Sequence, residues 1–160
     1  MPNGPRILIK NACYHIYSRG NQKQKVFQDN ADYLTYLKRL KRYTRKCGFL
    51  LFGYCLMPNH IHLIGQPINI RNLSKLMHCL HLSYTSYYNR RYNKVGHLWQ
   101  DRFKSKVILK DQYLLDCINY IELNPVRAKI VNSPLDYAWS SYRERVLGET
   151  KIKLLNPIQF

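Results

Sequence analysis

Two apolar runs separated only by Pro58-Asn59 constrain the fold of this chain more than any other feature. The first run, FLLFGYCLM, covers residues 49–57, and the second, HIHLIGQ, covers residues 60–66. Short apolar runs that flank a Pro-Asn pair are typical of two strands joined by a tight turn. Successive side chains of a strand point to opposite faces, so His60 and His62 are expected to share one face, with Ile61 on the other.

Hydrophobic periodicity and turn residues predict the remaining elements. Helical spacing begins at Asp29 and stops at Gly48. A third helix is expected to have Asp111 as its N-cap and to end near Asn124, before Pro125. In chain order, the predicted elements are a strand at 12–18, a helix at 29–48, the hairpin at 49–66, a helix at 71–92, a strand at 102–109, a helix at 111–124 and a helical piece after Pro134.

The order β-α-β-β-α-β, followed by a further helix, favours the α+β class. The simplest arrangement is a ferredoxin-like antiparallel sheet with helices on one face, plus an added C-terminal helical segment. The sequence has no repeat, low-complexity tract or linker. We therefore interpret residues 1–160 as a single domain with a core at about 12–145.

The charge balance indicates the class of partner. The chain carries 26 Lys and Arg against 9 Asp and Glu, a formal net charge of +17. Such an excess predicts a polyanionic partner and favours nucleic acid over an anionic membrane. No apolar run is long enough to cross a bilayer, and the N-terminus has no secretory hydrophobic region. We expect a cytoplasmic protein that does not associate with membranes.

The His60-Ile61-His62 pattern can form part of a metal site. Two imidazoles on one strand face can chelate a single ion, although such pairs also occur without any metal. A structural zinc site needs four ligands, usually with cysteines at characteristic spacing, and no such spacing is present. If a metal binds here, the pattern therefore favours an open, catalytic divalent ion.

The predicted third helix carries two stripes of residues. Leu114, Leu115, Ile118 and Ile121 form an apolar stripe that is expected to face the sheet, and Tyr113, Asp116, Tyr120 and Asn124 form a separate polar stripe. A polar stripe can simply be solvated. A positioned tyrosine can also act as a covalent nucleophile, and an asparagine carbonyl suits a hard cation such as Mg²⁺.

The segments MPNHIHLI, HLWQDRF, NYIELNPVRA and YAWSSYR, in this order, resemble motifs of the single-tyrosine HUH transposases, in particular the REP-associated tyrosine transposases. This resemblance implies a ferredoxin-like fold, with Mg²⁺ or Mn²⁺ bound by His60, His62 and Asn124 and with Tyr120 as the nucleophile. It also implies cleavage and rejoining of single-stranded DNA next to hairpin, palindromic elements through a 5′-phosphotyrosine intermediate. Either a monomer or a homodimer is compatible with it.

Clusters of basic residues are candidates for contact with DNA phosphates, with neighbouring tyrosines available for base stacking. A solvated helix face is the alternative interpretation of the same clusters. The candidate nucleic-acid-binding residues are Lys38, Arg39, Lys41, Arg42, Arg45, Lys46, Arg90, Arg91, Arg102, Lys104 and Arg127.

Two alternative functions remain open at the level of sequence. A basic module that binds DNA or RNA hairpins without catalysis would show the same charge, but it does not need His60, His62, Tyr120 and Asn124 together. A replication-initiator or relaxase-like nicking enzyme would share the chemistry. The sequence has no helicase or P-loop extension that would support this second alternative.

Overall fold

The computed structural model describes residues 5–109 and 111–159, with the side chains of residues 111 and 112 left out. Four antiparallel strands form one sheet in the order β2-β3-β1-β4, which is the order of a ferredoxin-like fold. The strands are β1 (Cys13–Arg19), β2 (Phe49–Met57), β3 (His60–Pro67) and β4 (Lys104–Ile108). The helices are α1 (Asn30–Cys47), α2 (Asn72–Tyr92), α3 (Asp111–Glu122), α4 (Asn124–Arg127) and α5 (Tyr142–Leu147).

Helices α1 and α2 pack side by side on one face of the sheet. The side chain of Asp29 accepts a hydrogen bond from the backbone N–H of Asp32 and caps α1. Gly48 ends α1 in the left-handed conformation, at φ 68°, as its position in the sequence predicts. Tyr36, Leu40, Leu76, Leu80 and Tyr84 are fully buried against the apolar side of β1, β2 and β3. The prediction of helices on one face is confirmed for α1 and α2.

Helix α3 lies on the opposite face of the sheet. Leu114, Ile118 and Ile121 are buried there and pack against residues such as Phe52 and Ile64. The predicted apolar stripe is wrong at one position, because Leu115 is 37% exposed. A single helix on a sheet buries a narrow stripe, and consecutive positions are about 100° apart around the axis, so Leu114 and Leu115 do not both face the sheet.

The predicted end of the third helix near Asn124 is confirmed to within two residues, but the short helix α4 that follows it was not predicted. Helix α3 ends at Glu122, and α4 begins two residues later with Pro125 in its first turn. A proline is tolerated at that position because the first turn of a helix has no partner for its N–H groups. At the other end of α3, the predicted N-cap role of Asp111 falls outside the described residues.

The C-terminal region completes the fold. Pro134–Asp136 form a 3₁₀ turn and α5 follows, in agreement with the predicted helical piece. Asn156 pairs with Leu51 through its backbone N–H, at 2.8 Å, and through its side-chain oxygen, at 2.9 Å. These bonds cover part of the exposed edge of β2. Among the helices that the structure describes, none is both long enough and apolar enough to span a membrane.

Candidate active site

The two histidines of β3 lie on the sheet face that α3 partly covers, as the alternation of the strand predicts. Their ring centroids are 5.1 Å apart, and Ile61 points into the core on the other face. Across the β1–β3 ladder, Tyr17 lies opposite His62 and Arg19 lies opposite His60. The pair therefore has one neighbouring strand that contributes an aromatic ring and a cation to the same face.

Each imidazole is held through its Nδ1 atom. His60 Nδ1 lies 2.7 Å from Asn59 Oδ1, and because a carboxamide oxygen only accepts, His60 donates from Nδ1. His62 Nδ1 lies 2.8 Å from His15 Nε2, a hydrogen bond that can run in the same direction. With both protons on Nδ1, both Nε2 atoms present a free lone pair. A metal-binding histidine is typically anchored in this way by a partner on its second nitrogen.

The surroundings keep these imidazoles neutral. Burial, with the positive charge of Arg19 nearby, lowers the pKa of His60 to about 4. Burial also lowers the pKa of His62 to about 3, and the neighbouring His15, His60 and Arg127 contribute to this shift. The pKa of His15 is lowered by burial and by Lys106. A neutral imidazole is the form that can coordinate a metal.

Asn124 is brought to His60 by the corner between α3 and α4. Its amide nitrogen lies 3.4 Å from His60 Nε2, with the amide donating toward the free lone pair. A half-turn of the amide places its carbonyl oxygen at this position. Neighbouring ligand atoms of an octahedral Mg²⁺ ion are about 3 Å apart. The atoms of His60 and Asn124 therefore fit a shared cation, with His62 beside them.

Side chains that commonly bind metals are otherwise sparse here. Among the side chains that the structure describes, no three from His, Cys, Asp or Glu are grouped to hold an ion. A divalent ion at this position would therefore take one ligand from the Asn124 amide and further oxygen ligands from water or a phosphate. Mg²⁺ usually keeps several waters and binds substrate phosphates in this way.

Tyr120 lies four residues before Asn124 and is 57% exposed. The Arg127 guanidinium lies over its ring, 3.9 Å from the centroid, and donates a hydrogen bond to the Tyr120 carbonyl oxygen. Tyr113 is also exposed, but it lies about 10 Å further from Asn124 along the helix, at 1.5 Å per residue. Of the two exposed tyrosines of α3, Tyr120 is therefore the one closer along the helix to Asn124.

Comparison with known proteins identifies the family. A family model described as IS200-like transposase matches residues 9–124. The chain belongs to the IS200-like transposase family. It is 30% identical over 140 residues to a Haemophilus influenzae protein named as a REP-associated tyrosine transposase, a match that covers 78% of this chain and 80% of that protein. The resemblance to REP-associated tyrosine transposases is thereby confirmed.

A solved structure supports the fold of this transposase. The structure is that of a REP-associated tyrosine transposase bound to a REP hairpin, and it aligns with a TM-score of 0.75 over 100% of both chains. The two sequences are 18% identical, so this match shows the shared fold alone.

The structure separates the predicted nucleic-acid-binding residues of this transposase into groups. Those on α1 and α2 lie across the sheet from His60, because both helices pack on the other face. Arg91 forms ion pairs with Asp29 at 2.5 Å and with Asp32 at 2.6 Å, so its charge is balanced within the protein, and its contact with DNA stays a prediction. Arg39 donates to Ser83 at 2.7 Å. On the histidine side, the exposed predicted residues are Arg102, Lys104 and Arg127.

Sequence reasoning missed the contribution of β1 to the site. His15, Tyr17 and Arg19 alternate with the buried Tyr14, Ile16 and Ser18 along the strand. This alternation is visible in the segment CYHIYSR and shows that His15, Tyr17 and Arg19 share a face. It does not show that β1 lies directly beside the histidines of β3, which is set by the strand order.

Proposed function

We propose that this protein is a metal-dependent single-tyrosine transposase that cleaves and rejoins single-stranded DNA next to hairpin elements. The observation that carries the proposal is the approach of Asn124 to His60 Nε2, four residues after an exposed tyrosine. Family membership supports transposition of DNA. The hairpin in the structure of the related transposase supports hairpin DNA as the substrate.

The chemistry assigned to Tyr120 is an in-line displacement at phosphorus. The phenol loses its proton as its oxygen forms a bond to phosphorus, the bond from phosphorus to the 3′-oxygen breaks, and the departing 3′-oxygen takes up a proton, so that no net proton is consumed. The 5′-phosphate is then joined to Tyr120, and attack by a second 3′-hydroxyl reverses the step and rejoins the strands. The energy of the broken bond is conserved in the phosphotyrosine, so no nucleotide cofactor is needed.

The neighbouring residues have distinct roles in this proposal. His60, His62 and Asn124 would hold Mg²⁺ or Mn²⁺, which when bound supplies charge neutralisation and orientation for the scissile phosphate. Asn59 and His15 orient the two imidazoles through their Nδ1 atoms. Arg127 places a positive charge beside the attacking phenol, where a phosphate must lie for the reaction.

The decisive test is covalent capture of DNA. The wild-type protein is incubated with an end-labelled single-stranded copy of the DNA that flanks its gene, with Mg²⁺, with Mn²⁺ or with EDTA. Denaturing gels are expected to show a cleaved strand and a covalent protein–DNA adduct only with a divalent metal. Tyr120→Phe removes one oxygen atom and is expected to eliminate the adduct, whereas the matched control Tyr113→Phe is expected to retain it.

The same experiment separates the alternative functions. Tight hairpin binding by the wild-type protein without any adduct would support a non-catalytic hairpin-binding module. An adduct that survives Tyr120→Phe and disappears with Tyr113→Phe would move the nucleophile to the start of α3. Cleavage without strand rejoining would favour a nicking enzyme of the replication-initiator type.

A further inference from the structure

A small notch opens between the end of β1 and the residues that precede β4. Its lining includes Tyr17 and Arg19 from β1, Gln100 and Arg102 from the loop, and Lys104 at the start of β4. We refer to it as the β1–β4 notch. It is separate from His60 and His62, which do not line it.

The strand register places this notch beside the candidate active site. Tyr17 lies opposite His62 on one side and opposite Lys104 on the other. Residues paired across neighbouring strands point to the same face, so all three side chains share the histidine face. At about 4.8 Å between strands, the backbone of Lys104 lies about 10 Å from that of His62.

The notch has a positive charge that the protein itself does not neutralise. Arg19, Arg102 and Lys104 contribute three cations, and Asp101 is the one carboxylate in the lining. In the described part of the chain, none of these three cations forms an ion pair, whereas Arg91 and Arg145 are both paired with buried carboxylates. Unpaired cations that converge on one cavity repel one another, and an anion between them removes that repulsion.

Arg19 is fixed in an orientation suited to binding an anion. Its Nε donates to Gln100 Oε1 at 3.0 Å, and the backbone N–H of Gln100 donates to the Arg19 carbonyl oxygen at 2.9 Å. These two bonds fasten the loop to the end of β1. The terminal amino groups of the guanidinium have no hydrogen-bond partner among the described residues. A pre-oriented guanidinium loses little conformational entropy when it binds a phosphate.

We propose that the β1–β4 notch binds a phosphodiester of the cleaved DNA strand that is distinct from the scissile phosphate. This inference rests on the proposed function. At about 3.4 Å per nucleotide in a stacked strand, a separation of about 10 Å corresponds to about three nucleotides, and to fewer in an unstacked strand. The notch therefore fixes the register of the single strand, and with it the phosphate that is presented to Tyr120.

Methylphosphonate scanning tests this assignment. The single-stranded part of the hairpin substrate is synthesised as a series, each member with one phosphate replaced by a neutral methylphosphonate. Binding of each to the wild-type protein is measured by fluorescence anisotropy in EDTA at one fixed salt concentration. Neutralising one phosphate, within three nucleotides of the cleavage position, is expected to weaken binding about tenfold, the cost of losing a charged hydrogen bond.

Variants identify the groups that bind this phosphate. With Lys104→Met or Arg102→Gln, binding of the unmodified substrate weakens, and the methylphosphonate at the same position has little further effect because the interaction is already lost. Asp101→Asn is expected to strengthen binding of the unmodified substrate, since it removes the negative charge of the notch. Lys75→Met, which changes an exposed lysine of α2 across the sheet, is expected to leave the binding of every substrate in the series unchanged.

The outcomes are separable from those of the proposed function. Full additivity between Lys104→Met and every methylphosphonate would overturn the notch as a phosphate site, and so would coupling at the scissile phosphate alone. Coupling at a neighbouring phosphate supports it. Because binding is measured without metal, coupling between Lys104→Met and one phosphate is observed whether or not the strand is cleaved, and cleavage serves only to locate that phosphate relative to the scissile one. Failure of the wild-type protein to form an adduct in Mg²⁺ refutes the proposed function only.

Discussion

The two faces of the sheet differ in whether their charged side chains have partners within the protein. On the face covered by α1 and α2, the buried carboxylate of Asp32 accepts hydrogen bonds from Tyr87 at 2.8 Å and from Tyr92 at 2.6 Å, and it pairs with Arg91. The charged groups that tie these helices together are thus satisfied within the protein. Aromatic side chains such as Tyr36 and Tyr84 fill the space around them.

On the other face, α3 covers only part of the sheet. Glu122 of α3 is satisfied there by Arg145 and Ser141, but polar groups on the strands that α3 leaves uncovered remain available. His60 and His62 present neutral nitrogens, and Arg19, Lys104 and Lys106 lie on neighbouring strands without a carboxylate partner in the described chain. Polar groups of this kind add little to the stability of the protein, because they have no partner within it. They are therefore available to a ligand. Both faces therefore contribute a packed core, but unpaired groups near the histidine pair are concentrated on the part of the sheet that α3 leaves uncovered.

The largest expected effect is the loss of DNA cleavage when a histidine of the histidine face is removed. His60→Ala or His62→Ala is expected to abolish cleavage, because each removes a nitrogen proposed to hold the divalent ion. Hairpin binding in EDTA is expected to stay largely intact, since the basic residues are unchanged. Cleavage on denaturing gels and binding by anisotropy are measured together, with the exposed His78 of α2 changed to alanine as the control. Wild-type cleavage by either variant in Mg²⁺ would refute the metal site.

The next effect concerns the stability of the helix face. Asp32→Asn removes a fully buried charge that Arg91 and two tyrosine hydroxyls contact, and it is expected to lower the free energy of unfolding by about 3 kcal/mol. Urea-induced unfolding measures the change. Asp136→Asn, at an exposed carboxylate, is expected to change stability by less than about 0.5 kcal/mol.

The cleavage activity of Asp32→Asn tests whether the two faces of the sheet are independent. Well below its melting temperature, the Asp32→Asn variant is expected to cleave DNA at the wild-type rate, because Asp32 lies across the sheet from Tyr120. Loss of cleavage in a variant that is fully folded would show that the two faces are not independent.

A smaller effect is expected from His81 as the pH falls. Burial lowers the pKa of His81, which packs 4.1 Å from the Trp99 ring, to about 3. Below pH 6.5 the unfolded chain therefore binds a proton that the folded chain does not, so this contribution to stability is complete above pH 6.5 and is lost as the pH falls toward 3. Between pH 6.5 and pH 5 the loss is about 2 kcal/mol.

Unfolding by urea at a series of pH values measures this dependence. His81→Gln is expected to remove the part of the stability loss that the protonation of His81 causes. His97→Gln, at an exposed position, is expected to leave the dependence of stability on pH unchanged. An identical pH dependence in the wild type and in His81→Gln would contradict the assignment to the helix face.

The smallest expected effect is at Asn124. Asn124→Ala removes a neutral oxygen that a water can replace, so cleavage is expected to persist at saturating metal. The Mg²⁺ concentration needed for half-maximal cleavage is expected to rise about tenfold, within the range found for substitutions around metal ligands. Thermal unfolding without metal provides the stability control. An unchanged metal titration would remove Asn124 from the site.

The sequence by itself determined the local features of this protein. Apolar runs on both sides of Pro58-Asn59 were sufficient to predict the β2–β3 hairpin, and alternation along β3 was sufficient to place His60 and His62 on one face. The spacing within α3 separated Ile118 and Ile121 from the polar stripe of Tyr120. These features depend on the period of a strand or a helix, which the sequence displays directly.

Only the tertiary structure decided which of these elements meet. The order β2-β3-β1-β4 brings His15 and Arg19 to the histidines and places Lys104 one strand further away. The folding of α1 against α2 removes Arg91 from the set of free cations, because it brings Asp29 and Asp32 to it from about 60 residues away. Contacts of this kind depend on strand order and on the packing of distant elements, and no local period in the sequence encodes them.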